Sequence, residues 1–206
     1  KPGIEYAKEQ DLLDPLAHYR TKFHIPKNSD GEEWLYFTGN SLGLQPKDTK
    51  KYIQQELDDW AKLGVEGHFE AKNPWMPYHE FLTETMSEIV GAKPIEVVIM
   101  NTLTTNLHLL MVSFYQPSKL KHKILIESDA FPSDRYAVET QLRFHGFDPL
   151  ESLIEWSPRK GETLLNIEDL ESILQSHGDE IALLLIGGVN YYTGQYLNLK
   201  KISELG

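Results

Sequence analysis

The stretch "KILIESDAFPSDRYAVETQLRFHG", Lys123 to Gly146, decides the fold. Its opening apolar run closes on a Ser-Asp-Ala-Phe-Pro cluster, the pattern of a short strand ending in a turn. Helical spacing follows, with Ser133 or Asp134 placed to cap the helix and Gly146 to end it. The alternation continues on both sides. "EVVIM" (Glu96 to Met100) reads as a strand, and Leu107 to Tyr115 as a helix apolar on most sides and therefore buried. Downstream, "SLIEW" is a third strand, Asn166 caps a helix carrying Ile167, Leu170, Ile173 and Leu174, and "IALLLIGG" is a fourth strand. Strands alternating with helices at this spacing predict an α/β fold, a mostly parallel sheet with helices on both faces. "NLKKISELG" then opens a further helix with no closing strand after it, which predicts a truncated domain.

Upstream the pattern differs. The first forty residues read as helical and then irregular, up to a Gly, Asn and Ser cluster in "FTGNSLGLQP". Pro46 opens an amphipathic helix with Ile53, Leu57, Trp60 and Ala61 on one face and Gly64 as its stop. "VEGHFEAKNPWMP" reads as a loop, and Tyr78 to Val90 as a second helix ending at Gly91. The expected division is an N-terminal helical arm with its loops, residues 1–90, and an α/β domain, residues 91–206.

Composition narrows the function classes. With 206 residues, 40% of them apolar, the chain can bury a sizeable core. A net charge of −11 without any basic stripe argues against a nucleic-acid partner. The longest apolar runs fall far short of a bilayer span, so a soluble protein without membrane contact is expected. The absence of cysteine excludes disulfides and thiolate zinc sites and suits a reducing cytoplasm. The eight histidines show no metal-ligand pairing with a nearby carboxylate, so no metal site is expected. The chain also lacks a dinucleotide fingerprint, a nucleoside-triphosphate lysine loop and a hydrolase elbow.

In open α/β sheets a ligand lies beyond the carboxyl ends of the strands, which selects "NTLTTN", "SDAFPSD" and "GGVNYYTGQ". The first places free backbone N–H groups and the Thr104 and Thr105 hydroxyls at a helix start, which suits a phosphate. Plain helix capping accounts for the same residues. In the second, Phe131 could stack on a planar ligand with Asp134 accepting a hydrogen bond, or Phe131 could staple an ordinary helix start. His108 reads as a core or ligand-facing histidine with a hydrogen-bond partner, and His68 in "EGHF" as loop-borne.

Taken together, "FTGNSLGLQP", "EGHF" ahead of "NPW", "NTLTTNLHLLMVSFYQPS", "KILIESDAFPSDRYAVETQLRFHG" and "GGVNYYTGQ" resemble the kynureninases, in order, from about Leu12 to the end of the chain. The resemblance implies the pyridoxal-phosphate-dependent transferase fold type I, with residues 91–206 as the first half of the cofactor-binding domain. It implies pyridoxal 5'-phosphate as cofactor, a homodimer, and a cytoplasmic enzyme of tryptophan catabolism and NAD biosynthesis. The implied reaction is hydrolysis of kynurenine, or 3-hydroxykynurenine, to alanine and anthranilate, or 3-hydroxyanthranilate. It also implies that Leu103 and Thr104 hold the cofactor phosphate and that Phe131, Pro132, Ser133 and Asp134 line the pyridine ring. Ser41 and His68 match positions of the substrate pocket.

Three departures limit the carry-over. The family's Schiff-base lysine, in a serine-tyrosine-lysine stretch, and the aspartate of its Asp-x-Ala-His segment do not occur in these 206 residues. The family's serine before "GV" stands here as Gly187. The chain therefore resembles the N-terminal half of a kynureninase, with no catalytic residue of its own, and is expected to be inactive alone. The alternatives are a non-catalytic truncated binding protein, or another fold type I lyase or desulfurase.

Overall fold

The computed structural model describes residues 3–206, in two compact units that meet in sequence between Ile99 and Met100. In the first unit, α1 (Ile4–Leu13) and a 3-10 segment (Ala17–Lys22) precede α2 (Thr49–Leu63), the single turn α3 (Gly67–Glu70) and α4 (Thr83–Val90). Helix α2 starts three residues later than expected. Pro46 forms an antiparallel bridge with Phe23, and that extended backbone cannot also begin a helix. Gly64 ends α2 with φ of 56°, a conformation open to glycine at no steric cost. The apolar face expected of α2 is open, with Ile53 and Trp60 58% and 65% exposed.

Two further expectations for this unit are corrected. The segment from Tyr78 is not one helix but a 3-10 turn (Tyr78–Glu80) followed by α4, which Gly91 ends in the left-handed conformation. "EVVIM" is not a strand: Glu96 closes a 3-10 turn, its carboxylate accepting from the Lys93 N–H at 2.9 Å. Val97 is extended, but residues 97–100 have no ladder partner among the described residues. Apolar, β-branched sequence favours extension, and only a neighbour's hydrogen bonds make it a strand.

The second unit is the α/β part. It runs α5 (Leu103–Phe114), β1 (Lys123–Glu127), α6 (Pro132–Phe144), α7 (Pro149–Ser152), β2 (Leu153–Trp156), α8 (Ile167–His177), β3 (Ile181–Leu185) and α9 (Leu199–Leu205). The sheet has the order β2-β1-β3, all parallel, with Ile126 facing Glu155 on one side and Leu185 on the other. The chain steps from β1 to one edge, then back past β1 to the other. Parallel crossovers are right-handed, so reversing direction must put the connecting helices on opposite faces.

The packing obeys that rule. Ile124 and Ile126 join Met111, Tyr115, Val138 and Leu142, the α5 and α6 side. Leu125, one residue out of phase, joins Trp156, Leu170 and Ile202, the α8 and α9 side. Each such fully buried side chain stabilises the fold by roughly 1.5–3 kcal/mol. The buried Trp156 indole N–H donates to the Asn166 carbonyl at 3.0 Å, which removes the penalty of an unpaired donor.

Two helix expectations change here as well. Helix α5 begins at Leu103 rather than Leu107, because Thr102, extended at ψ of 161°, is the cap position and the Asn106 N–H bonds the Thr102 carbonyl at 2.9 Å. It is not buried all round: Met111 is its one buried residue, while Val112 and Phe114 are open. Helix α6 is capped by neither Ser133 nor Asp134. Phe131 holds the cap position and Pro132 the first helical one, where its missing N–H leaves nothing to satisfy.

Candidate functional site

Helices α5 and α6 run side by side and in the same direction. His108 meets Gln141 (Nδ1 to Nε2, 3.0 Å) and, further along both, the Tyr115 and His145 rings meet edge-on at 5.3 Å. The Tyr115 hydroxyl donates to the carbonyl of His122, just before β1, at 2.6 Å. The carboxyl end of α5 therefore lies at the start of β1. Its amino end, with Leu103 and Thr104 in the first turn, points toward the carboxyl ends of the strands.

That first turn is free of side-chain caps. The Thr102 hydroxyl pairs with the Thr105 hydroxyl at 3.2 Å instead of turning back onto the backbone. Residues 101–105 are exposed, so the N–H groups of Leu103 and Thr104 and the positive end of the helix dipole face outward. An anion is the natural complement of such an end.

Beyond β1 and β3 lies a cleft of about 190 Å³, and Phe131, Asp134, Glu127, Gly187 and Tyr191 are among the residues lining it. That is less than the roughly 300–1,000 Å³ of a typical ligand pocket, so the cleft suits one ring and its substituents. Phe131 and Tyr191 come from different loops and meet edge-to-face at 5.1 Å. Of the sequence-selected stretches, "AFPSD" and "GGVNYYTGQ" thus share one cleft. Leu103, Thr104, Pro132 and Ser133 are not among its lining residues. The Ser133 hydroxyl donates to the Asp134 carboxylate at 3.3 Å.

Arg135 also lines the cleft, but its charge is already engaged. Glu155 binds its guanidinium, Glu139 accepts from Nε at 3.0 Å, and the Glu155 hydrogen bond foremost pushes its pKa above the ordinary guanidinium value. An anionic ligand group would gain little there. The first turn of α5, by contrast, carries no side-chain cap.

Sequence reasoning missed the buried carboxylate of the cleft. Glu127 ends β1 at 8% exposure and accepts from the Asn190 amide at 3.2 Å. The available signal was a charged residue closing an apolar strand, which calls for a partner. Among the described residues no group of His, Asp and Glu could hold a metal ion, and no helix is long and apolar enough to cross a membrane.

The other two candidates belong to the first unit. Ser41 lies in an exposed turn, its N–H bonded to the Thr38 carbonyl at 2.9 Å. His68 sits on α3 rather than in a loop. Its Nδ1 lies 2.8 Å from the Val65 carbonyl, which can only accept, so Nδ1 carries the proton and Nε2 presents the lone pair of the neutral ring. Its ring meets that of Trp75 edge-on at 5.4 Å. Trp75 is in turn fixed by Glu56 of α2, which accepts from the indole N–H at 3.0 Å. "EGHF" and "NPW" are thereby one local structure.

No protein-family model matches the chain. Among curated proteins it is 54% identical over 201 residues to the kynureninase of Koribacter versatilis, covering 98% of this chain and 47% of that protein. The Myxococcus xanthus kynureninase is 53% identical, covering 97% and 47%. The Homo sapiens kynureninase is 46% identical, covering 95% and 44%. Nearly all of the chain is thus homologous to kynureninases, and it spans about half the length of the curated relatives it matches. Among solved structures, a C-DES mutant with glycine covalently linked to its PLP cofactor aligns with a TM-score of 0.56 and 15% identity, over 82% of this chain and 44% of that one. That likeness concerns the fold alone and agrees with the fold type expected from the sequence.

Proposed function

We propose that this chain is the cofactor-holding portion of a kynureninase, an enzyme that hydrolyses L-kynurenine or 3-hydroxykynurenine to L-alanine and anthranilate or 3-hydroxyanthranilate. The observation that carries this reading is the cleft beyond β1 and β3, where Phe131, Tyr191 and Asp134 converge in a chain homologous to kynureninases. The residues fit pyridoxal 5'-phosphate. In this reading Phe131 offers its ring face to the pyridine, with Pro132 and Ser133 fixing the turn that presents it, and the Asp134 carboxylate accepts a hydrogen bond. Leu103 and Thr104 give the phosphate the free N–H groups and hydroxyl of the α5 first turn. When bound, the cofactor supplies an electron sink for carbanion chemistry next to the amino group.

The chain's own part is binding and orientation. Ser41 and His68 go to the substrate, and His68 enters with its Nε2 lone pair available to accept a proton or hydrogen bond. No lysine here lies in the family's serine-tyrosine-lysine context, so the 206 residues bind cofactor without turning over kynurenine. The open apolar faces of α2 and α5 suit burial against the rest of a longer polypeptide or a second subunit, in a cytoplasmic homodimer.

A titration with pyridoxal phosphate, followed by the cofactor's absorbance, tests the reading. Saturable binding is expected, weakened about tenfold by Thr104→Val or Asp134→Ala, the factor for one lost interaction of about 1.4 kcal/mol. Absence of binding, or variants that bind like the parent, would refute it.

A further inference from the structure

The loop after β3 carries Gly187 and Tyr191 into the cleft, and its far end is well anchored. The Gln195 side chain clasps Leu165 through both backbone groups, each at 2.8 Å, and the Leu197 N–H bonds the Gly188 carbonyl at 2.9 Å. The end nearest the cleft has a different anchor, Asn190, only 5% exposed. Its Oδ1 accepts from the Tyr192 N–H at 3.0 Å, the Thr193 N–H at 2.9 Å and the Thr193 hydroxyl at 3.1 Å. Three donors on one atom fix which end of the amide is oxygen, so the NH2 group must face Glu127. It donates to Glu127 Oε2 at 3.2 Å, across 63 residues of chain. Glu127 Oε1 lies against the same loop, where a Cβ on Gly187 would come within 3.2 Å of it.

We propose that Glu127 and Asn190 are a positioning pair, tying the loop after β3 to the end of β1 so that Gly187 and Tyr191 line the cleft beside Phe131. The inference rests on the cofactor reading above for its functional consequence, while the tie itself belongs to the chain. Other charged or titratable groups around the pair are the side chains of Asp134 and Arg135 of α6 and Tyr191 of the loop, with Glu155 of β2 behind Arg135, and, on the side of Asn190, the Asp129 carboxyl and the Tyr192 phenol. None of them is hydrogen-bonded to Asn190 among the described residues.

Asn190→Asp isolates the tie. The new carboxylate keeps the three bonds accepted by Oδ1 but sets a second carboxylate against Glu127. Two carboxylates at that distance cannot both ionise without repulsion, so the pair holds together only while it shares a proton. Deuterium uptake over residues 187–197 of the full chain is expected to rise in Asn190→Asp at pH 8 and to return toward the parent in mild acid. Pyridoxal phosphate affinity is expected to fall about tenfold at pH 8, one lost interaction of ordinary strength. The swapped double variant Glu127→Gln with Asn190→Asp restores one donor and one acceptor and is expected to recover both readouts at pH 8. A general packing defect would neither follow pH nor be rescued by the swap. Parent-like uptake in Asn190→Asp at pH 8, or no recovery in the double variant, would overturn the proposal. An ordered exchange series in a protein that binds no pyridoxal phosphate would overturn the cofactor reading and support the tie. Binding without an ordered series would overturn the tie and leave the cofactor reading standing.

Discussion

Tyr115→Phe should destabilise the protein at neutral pH and stabilise it in strong alkali. The side chain is fully buried between α5 and the sheet, and its hydroxyl donates to the His122 carbonyl at 2.6 Å. Removing it loses one hydrogen bond and leaves a carbonyl without that donor, a cost of about 1–2 kcal/mol. The opposing effect comes from the same burial, which pushes the Tyr115 pKa from 10.0 up to about 12. A folded-state pKa above the unfolded one contributes stability that is fully present below pH 10 and is lost as pH rises through 12. The loss amounts to roughly 3 kcal/mol when complete, and about half of that by pH 11. The variant has no such group. Its deficit in urea-unfolding free energy should therefore shrink from about 1–2 kcal/mol at pH 8 to near zero at about pH 11, then change sign. Taking the difference between parent and variant cancels the titration of the other tyrosines and lysines. A deficit that stays constant from pH 8 to pH 11.5 would refute the reasoning.

Gly67→Ala should disrupt the "EGHF" and "NPW" structure, because a Cβ at Gly67 would lie 2.5 Å from the Trp75 ring. Overpacking of this kind costs about 1–3 kcal/mol, and a shift in tryptophan fluorescence together with a lower Tm would register it; an unchanged emission spectrum would contradict the contact. Lys123→Met should reduce the loss of stability in acid. Hydrogen bonds from Lys123, and secondarily His177, hold the Glu180 carboxyl below the usual carboxylate range, so its contribution is present at neutral pH and lost as pH falls through the lowered pKa. Urea midpoints at pH 7 and pH 3 should fall further apart in the parent than in the variant, and equal differences would count against the ion pair.

What the sequence made legible was mostly local. β1 and α6 were readable because a short apolar run, helical spacing and a glycine at φ of 84° all act within 24 residues. The helix cap was not, because Pro132 fixes the first helical position whatever hydroxyls follow it. "EVVIM" misled because strand propensity describes a surface that fits a sheet, while the ladder partner is a matter of tertiary structure. The start of α5 was misplaced because Thr and Asn suit a helix's first turn as well as a turn before it. In the candidate site, Phe131 and Asp134 were found through their turn chemistry. Glu127 and Asn190 were not, since nothing within one window of sequence joins residues 63 apart. His68 was noticed, but its orientation depends on Val65 and Trp75, which only the folded chain brings to it.

The most direct test of the whole account is kynurenine cleavage, followed by the fluorescence of released anthranilate. The assay compares the 206-residue chain with a polypeptide that carries this sequence through to a lysine in the serine-tyrosine-lysine context. With pyridoxal phosphate present, the longer polypeptide should release anthranilate and the 206 residues alone should release none. A longer polypeptide that binds the cofactor yet leaves kynurenine intact, or turnover by the 206 residues alone, would contradict the account.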